Sequence, residues 1–460
     1  MRARRSQWRA PSPTYTALGI TGVATLCIVW LAWVAPLTFD EAYNRLHYGT
    51  LGSVRILRDY DRPNNHFVFT VIQSWLPVRM LRWEPWTIRV ASVVIGSLLV
   101  LVVLLVAARC GSLLIACCLI AGAPLLVTYL FVARGYGFSS LLIVVSVLVP
   151  FALARRAGRR AGLILAALVL AVGIWPLPTN VLLVPGWLLG AGLLYGVADA
   201  LPAGAVVVAA VAAEYIPAEA GLRKASHTAW NGHPGVWPYV RNVVDGASMI
   251  PVCLVAASVL VAVAFARANR FRSLADLRHA ERRAQLAIWC VLAAASWFAG
   301  ILLTDAAGTP LPFTRNALPA LWLLVLALVA AAPRGRLNRL VALILAAPFV
   351  LGVLLWAQAG RNADWKPVAD ASRNDILYRT TPATIRDAGS IHATAVECEW
   401  WDWPVCVLVT PKLFRQGIRV NLIRNRYVAG LPCALGSRRP PSPWQVIVVR
   451  GNQLLGQLCH

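Results

Sequence analysis

Runs of about twenty apolar residues recur along this chain, the first being "ALGITGVATLCIVWLAWVAPL" at 17–37. Each can cross a hydrocarbon core of roughly 30 Å at about 1.5 Å rise per residue. A bilayer offers the backbone no outside hydrogen-bond partner, so runs of this kind must be helices that satisfy themselves. Apolar windows fall at 17–37, 90–108, 112–131, 138–154, 161–175, 179–197, 201–213, 248–266, 286–303, 316–332 and 340–357, eleven in all. Only 13% of residues are charged, against roughly 25% in soluble domains. The fold class that follows is a polytopic α-helical membrane protein of about eleven transmembrane helices. The first run is long and lacks a small-residue cleavage site, so it reads as a span and not as a cleaved signal peptide. The 201–213 window is the shortest, Ala/Val-rich and bounded by Pro202 and Pro217.

The formal charge is +24, a value that invites a nucleic-acid reading. The basic residues argue against one, because they are neither gathered in a soluble domain nor interleaved with aromatics on a soluble face. They punctuate the apolar runs instead, in "MRARRSQWR" at the start, "RRAGRR" at 155–160, "RANRFRSLADLRHAERR" at 267–283 and "RGRLNR" at 334–339. With a cytoplasmic N-terminus all four clusters fall on the cytoplasmic side, as the positive-inside rule requires. Anionic inner-leaflet lipid is the partner they imply. The same register leaves four segments outside: 38–89, "VARGYGF" at 132–138, 214–247 and the tail from 358. Residues 1–357 thus form a transmembrane domain and 358–460 a small extracytoplasmic domain. In the first loop Leu46, Leu51, Val54 and Leu57 recur at helical spacing, which predicts a helix lying along the membrane surface.

Of ten cysteines, Cys398, Cys406, Cys433 and Cys459 lie in the tail. An even count in an oxidising compartment permits two disulfides among them. A zinc site is the rival, but the spacings lack the paired short C-x-x-C form. The tail alternates short β-prone runs with Pro and Gly turns, which predicts a small α/β or mostly β fold.

The chemistry-bearing residues gather in the outer loops. Asp40 and Glu41 close the first span in "FDEAYNRLHYG", where carboxylates are either a solvated helix boundary or part of a site. Asn64, Asn65 and His66 in "YDRPNNHFVFT" are uncharged donors and acceptors suited to hydroxyl-rich ligands, and Pro63 stiffens the loop that presents them. In "ARGYGF", Gly135 and Gly137 allow close backbone approach and Arg134 offers a planar fork for a phosphate or carboxylate. An arginine on the outer side runs against the charge bias, so either an ion pair with Asp40 or Glu41 or an anionic ligand holds it there. Arg315 in "LPFTRNALP" poses the same question. "ASHTAWNGHPGVWPYVRN" at 225–242 has a composition suited to sugar stacking, or equally to a membrane interface.

An Asp-Glu pair just after the first span, then "PNNH" leading into an amphipathic run, then "ARGYG" after the third span, resembles the bacterial branch of the GT-C glycosyltransferases. The similarity is to the family that includes protein O-mannosyltransferases and the lipid A aminoarabinose transferase. It extends to about residue 330 through "PFTRNALPALWLLVLAL", which looks like that family's late "RY-L-LP" helix start, with Asn316 in place of the usual aromatic. "DWKPVAD" at 364–370 also looks like a segment that follows the last span in such proteins. The resemblance implies a transferase in the bacterial inner membrane that moves a sugar from a polyprenyl-phosphate donor to a cell-envelope acceptor on the outer face; no cofactor is expected, and no residue is assigned as a metal ligand. It implies Asp40 as the catalytic carboxylate with Glu41 beside it, and Arg134 and Arg315 as receivers of the phosphate charge. The expected substrate-binding set is Tyr43, Asn64, Asn65, His66 and Tyr136. Two other readings stay open at this point: a transporter of a lipid or small polar solute, and a noncatalytic assembly protein of the same fold. Against the transporter, the spans carry almost no ionisable residues, whereas substrate and ion pathways usually do.

Overall fold

The computed structural model describes residues 12–34, 41, 44, 48, 51–58, 66–80, 88–121, 123–153, 158–226, 278, 280–306 and 314–332, together with strand residues 395–399, 419–423, 445–450 and 453–457. In chain order the helices are α1 (Pro13–Val34), α2 (Ser53–Arg58), α3 (Val68–Met80), α4 (Val90–Cys110), α5 (Leu113–Ala121), α6 (Pro124–Phe131), α7 (Tyr136–Leu153), α8 (Arg159–Ile174), α9 (Val184–Tyr195), α10 (Val197–Ser226), α11 (Arg282–Ala306) and α12 (Leu318–Ala331). Short 3-10 turns at Pro178–Leu183 and Thr314–Ala317 lead into α9 and α12. Among the described residues, six stretches are long and apolar enough to cross a membrane: Pro13–Trp33, Val90–Cys110, Tyr136–Leu153, Pro178–Tyr195, Val197–Glu219 and Arg282–Thr304. The molecule is a mostly helical chain of membrane-protein character.

Burial follows composition. α12 is apolar on every side and all of its residues are buried, as befits a helix enclosed by others rather than facing lipid on one side. It packs on α11, α7 and α4. α1 turns Val23, Leu26, Val29, Trp30 and Trp33 outward and buries Ala17, Ile28, Leu31 and Ala32 against its neighbours. α9 and α11 approach closely at Gly186 and Gly190, spaced as G-x-x-x-G. A Cβ on Gly186 would strike the Leu292 carbonyl, and one on Gly190 would strike the Trp289 ring. Small residues at such a crossing let backbones meet where no hydrophobic drive between lipid-embedded helices exists. The Trp289 indole N–H then donates to the Trp187 carbonyl at 2.8 Å.

Two expectations change, both at prolines. The window at 112–131 holds two short helices, α5 and α6, because Pro124 starts α6 as an N-terminal residue and cannot continue a preceding ladder. The 201–213 window belongs to the 30-residue α10, which runs through both Pro202 and Pro217. Each proline removes one helical N–H, and the Ala-rich sequence between them sustains the helix. In the first loop the described helix α2 spans Ser53–Arg58 and buries Ile56 while Val54 is exposed; residues 49–50 and 59–65 on either side lie outside the described residues. Leu46, the windows at 248–266 and 340–357, and the 227–247 part of the second outer loop lie outside the described residues.

The two ends of the bundle differ chemically. At one end Arg109 sits in the last turn of α4 and Arg159 and Arg160 open α8. There too Arg278 donates to the Leu193 carbonyl at 3.0 Å, and Arg283 to the Ala332 carbonyl at 3.0 Å. Ser112 joins that end of α4 to α12 through the Val329 carbonyl at 2.8 Å. The other end of α4, one 21-residue helix away, carries the buried polar groups described below.

From the tail, four strands are described: β1 (Ala395–Glu399), β2 (Arg419–Ile423), β3 (Gln445–Arg450) and β4 (Gln453–Gln457), in the order β2-β1-β4-β3. β1 and β2 are parallel, with Cys398 opposite Leu422, and the other pairings are antiparallel. Gly451 and Asn452 alone separate β3 from β4 in sequence, a length and composition suited to a two-residue hairpin connection. Only Cys398 of the four tail cysteines falls on a described residue, and its side chain does not.

Candidate active site

An arginine at the start of a helix opposes the helix dipole, and Arg89, immediately before α4, needs an anion. Glu41 supplies it. Arg89 Nε and Nη2 each donate to a separate Glu41 carboxylate oxygen at 2.8 Å, a bidentate geometry that only the planar guanidinium offers. Its Nη1 donates to the Ala32 carbonyl near the end of α1 at 3.0 Å. Glu41 Oε1 also accepts the Ala133 backbone N–H at 2.6 Å. Both side chains are wholly buried. This one pair therefore ties the end of α1, the start of α4 and the turn between α6 and α7. Gln73 of α3 reinforces the knot, its amide donating to the Ala133 carbonyl at 3.1 Å and the Ile88 carbonyl at 3.3 Å.

The turn itself is tight: the Arg134 N–H donates to the Val132 carbonyl at 2.7 Å, a three-residue turn. Arg134, nearly buried, donates from Nε to His66 Nε2 at 2.7 Å. The other ring nitrogen, Nδ1, lies 2.9 Å from the Pro176 carbonyl. A carbonyl only accepts, so Nδ1 carries the proton and Nε2 is the lone-pair side that receives Arg134. His66 is thus a neutral strut that aims a cation without adding charge. Tyr136 closes the group: its ring meets His66 edge-on at 5.4 Å and Tyr129 at 4.9 Å, and the Arg134 guanidinium lies 5.6 Å from its centroid.

Gly135 is required by this packing. A Cβ there would come within 2.8 Å of His66 Cβ and 2.9 Å of Pro176 Cβ. Phe67, next to His66, has φ of 43°, a left-handed conformation that costs a bulky residue of order 1–3 kcal/mol. It is held by full burial, by a ring contact with Tyr215 at 5.8 Å, and by the neighbouring His66 N–H, which donates to the Thr70 hydroxyl at 2.9 Å. Backbone strain beside a buried cation is common where a chain presents a site.

Among the sequence-derived candidates, Glu41, His66, Arg134 and Tyr136 meet in this one assembly. Asp40, Tyr43, Asn64 and Asn65 lie outside the described residues, and so do Cys406, Cys433 and Cys459. Arg315 is in the 3-10 turn Thr314–Ala317, and its side chain is not described. The sequence reasoning missed Arg89, and the signal was available: it stands immediately before an apolar run, in a loop expected on the outer side, where an arginine opposes the expected charge bias. It also missed Gln73 and Pro176, whose parts are visible only once the chain is folded. No group of three or more His, Cys, Asp or Glu side chains among the described residues is placed to hold a metal ion. Comparison with known protein families and with curated proteins finds no match for this chain.

Proposed function

We propose that this chain is an inverting membrane glycosyltransferase of GT-C type, which moves a sugar from a polyprenyl-phosphate donor to a cell-envelope acceptor at the outer face of the bacterial inner membrane. The observation that carries the reading is the convergence of the three motif-bearing segments: Glu41 from the Asp-Glu pair and His66 from "PNNH" both bond to the Ala133–Arg134 turn. This group lies at the end of the bundle away from the arginines that bond to the ends of α9 and α12, which agrees with an outer site and a cytoplasmic basic face.

In this mechanism the acceptor hydroxyl gives its proton to the Asp40 carboxylate as its oxygen attacks the sugar's anomeric carbon. The bond from that carbon to the phosphate oxygen breaks, and the electron pair leaves with the lipid phosphate. Arg134, its guanidinium held by His66 and Tyr136, receives the growing charge in a site where water is scarce and the interaction correspondingly strong. A single displacement of this kind inverts the anomeric configuration and needs no enzyme nucleophile, in contrast to the double displacement of retaining glycoside chemistry. Glu41 has Arg89 and Ala133 on its oxygens, so its work is to hold the turn. The test is purified protein in lipid vesicles with radiolabelled polyprenyl-phosphate sugars and an envelope extract as acceptor. Transfer of label that Asp40→Asn abolishes supports the reading. Absence of transfer with every donor, or transfer undiminished in Asp40→Asn, overturns it.

A further inference from the structure

α10 presents two faces. Leu201, Val208 and Ile216 are exposed, while Ala200, Ala203, Val207, Glu214 and Ala218 form the buried stripe turned toward the bundle. Glu214 is anomalous on that stripe. It is 9% exposed, its Oε1 is buried without a hydrogen bond, and no ion pair to it forms among the described residues. An uncompensated carboxylate on an apolar helix is costly and is retained where a ligand supplies its partner.

Its height in the bundle identifies what that ligand meets. Tyr215, the next residue, donates its hydroxyl to the Ile174 carbonyl at 2.8 Å and the Trp175 carbonyl at 3.1 Å. The Pro176 carbonyl, next in sequence, is the one that holds His66. The Tyr215 ring rests on Phe67, adjacent to His66. Glu214 therefore stands at the level of the Arg134–His66 pair. A second buried group without partners lies nearby: neither amide atom of Asn44, itself 2% exposed, has a hydrogen bond. α2 bridges the two. Its Ile56 clusters with Tyr48, one turn after Asn44, and Leu57 clusters with Phe67, Tyr215 and Ala218, one turn after Glu214.

We propose that Glu214 binds a hydroxyl group of the sugar carried by the lipid donor, with Asn44 as a second, uncharged contact to the same sugar; this rests on the transferase reading. A carboxylate can only accept and repels phosphate, so it takes hydroxyl donors and turns the phosphate away, toward Arg134. Asn44 donates and accepts, which suits a hydroxyl that does both. The opposed charges of Glu214 and Arg134 thus orient the donor end to end.

Full-length protein in detergent is titrated with polyprenyl phosphate and with polyprenyl-phosphate mannose, galactose and arabinose, reading intrinsic tryptophan fluorescence. Glu214→Leu is expected to lose about tenfold or more in affinity for the best-bound sugar lipid, the size of one charge-assisted hydrogen bond, and to bind polyprenyl phosphate within about twofold of wild type. Glu214→Gln, whose amide oxygen still accepts, loses less. Because Glu214 is uncompensated, Glu214→Leu melts no lower than wild type. Equal weakening of bare and sugar-bearing lipid in Glu214→Leu, or no weakening of either, overturns this inference while leaving the transferase reading standing. Wild-type protein that binds none of these lipids overturns the transferase reading, and this inference with it.

Discussion

Replacing Arg89 by methionine tests whether the buried pair with Glu41 organises the end of the bundle that carries the Ala133–Arg134 turn. The substitution keeps much of the side-chain volume and leaves the wholly buried Glu41 without the guanidinium that meets both its oxygens, while the Ala133 N–H still bonds it. Two charge-assisted hydrogen bonds to Glu41 and one to the Ala32 carbonyl disappear. Breaking a buried pair from one side costs roughly 3–5 kcal/mol, mostly the penalty of the orphaned charge. At about 1.4 kcal/mol per tenfold, that is a shift of a hundredfold to several thousandfold in the folding equilibrium. Glu41→Gln alone is expected to suffer comparably, since it removes the carboxylate charge that two nitrogens of the buried guanidinium meet at 2.8 Å. The double variant Glu41→Gln/Arg89→Met strands no charge and recovers much of the loss, so the two changes are strongly non-additive. Denaturant titration of the detergent-solubilised protein, followed by tryptophan fluorescence for all four members of the cycle, measures the coupling. Single variants within about 1 kcal/mol of wild type, or a double variant that simply sums them, would refute the reasoning, because isolated surface pairs behave that way.

Gly135→Ala forces a methyl against His66 and Pro176; overpacking of this kind costs about 1–3 kcal/mol, and a lowered melting temperature together with weaker donor binding is the expected result. Asp40→Asn keeps shape and removes the base, so transfer is abolished while donor binding persists, whereas Arg134→Ala weakens donor binding; lipid-binding and turnover assays on the two variants separate these losses. Reporter fusions and cysteine-accessibility labelling are expected to find the N-terminus cytoplasmic and the chain from 358 extracytoplasmic, and a cytoplasmic tail would remove the compartment on which the mechanism depends.

Local pattern carried the helical segments well where apolar residues ran unbroken. The windows at 90–108 and 138–154 lie almost wholly within α4 and α7, because hydropathy over twenty residues is a property of the segment itself. It carried the helix ends less well at prolines: Pro124 starts a new helix whereas Pro202 and Pro217 are absorbed within one. A proline's outcome depends on whether neighbouring packing tolerates one missing bond, which no single-segment pattern contains. In the first loop spacing selected Leu51, Val54 and Leu57, whereas the burial of Ile56 is decided by Tyr48, Leu51 and Val71, which reach it only through the folded loop.

The candidate site divides along the same line. Asp-Glu, "PNNH" and "ARGYG" were legible because polar residues in a chain this apolar stand out, and an arginine in a turn expected on the outer side opposes the expected charge bias by itself. The partner of Glu41 was not legible. Sequence reasoning offered an ion pair of Arg134 with Asp40 or Glu41, by charge; both oxygens of Glu41 meet Arg89, the Nε of Arg134 donates to the neutral His66, and Asp40 lies outside the described residues. Hydropathy and charge, which act residue by residue against the solvent, thus indicated from sequence alone a helical membrane protein and singled out the polar residues of its loops. Which buried charge meets which, and that Glu214 meets none, the tertiary structure alone decided, since pairing depends on which helix ends arrive together within about 3 Å.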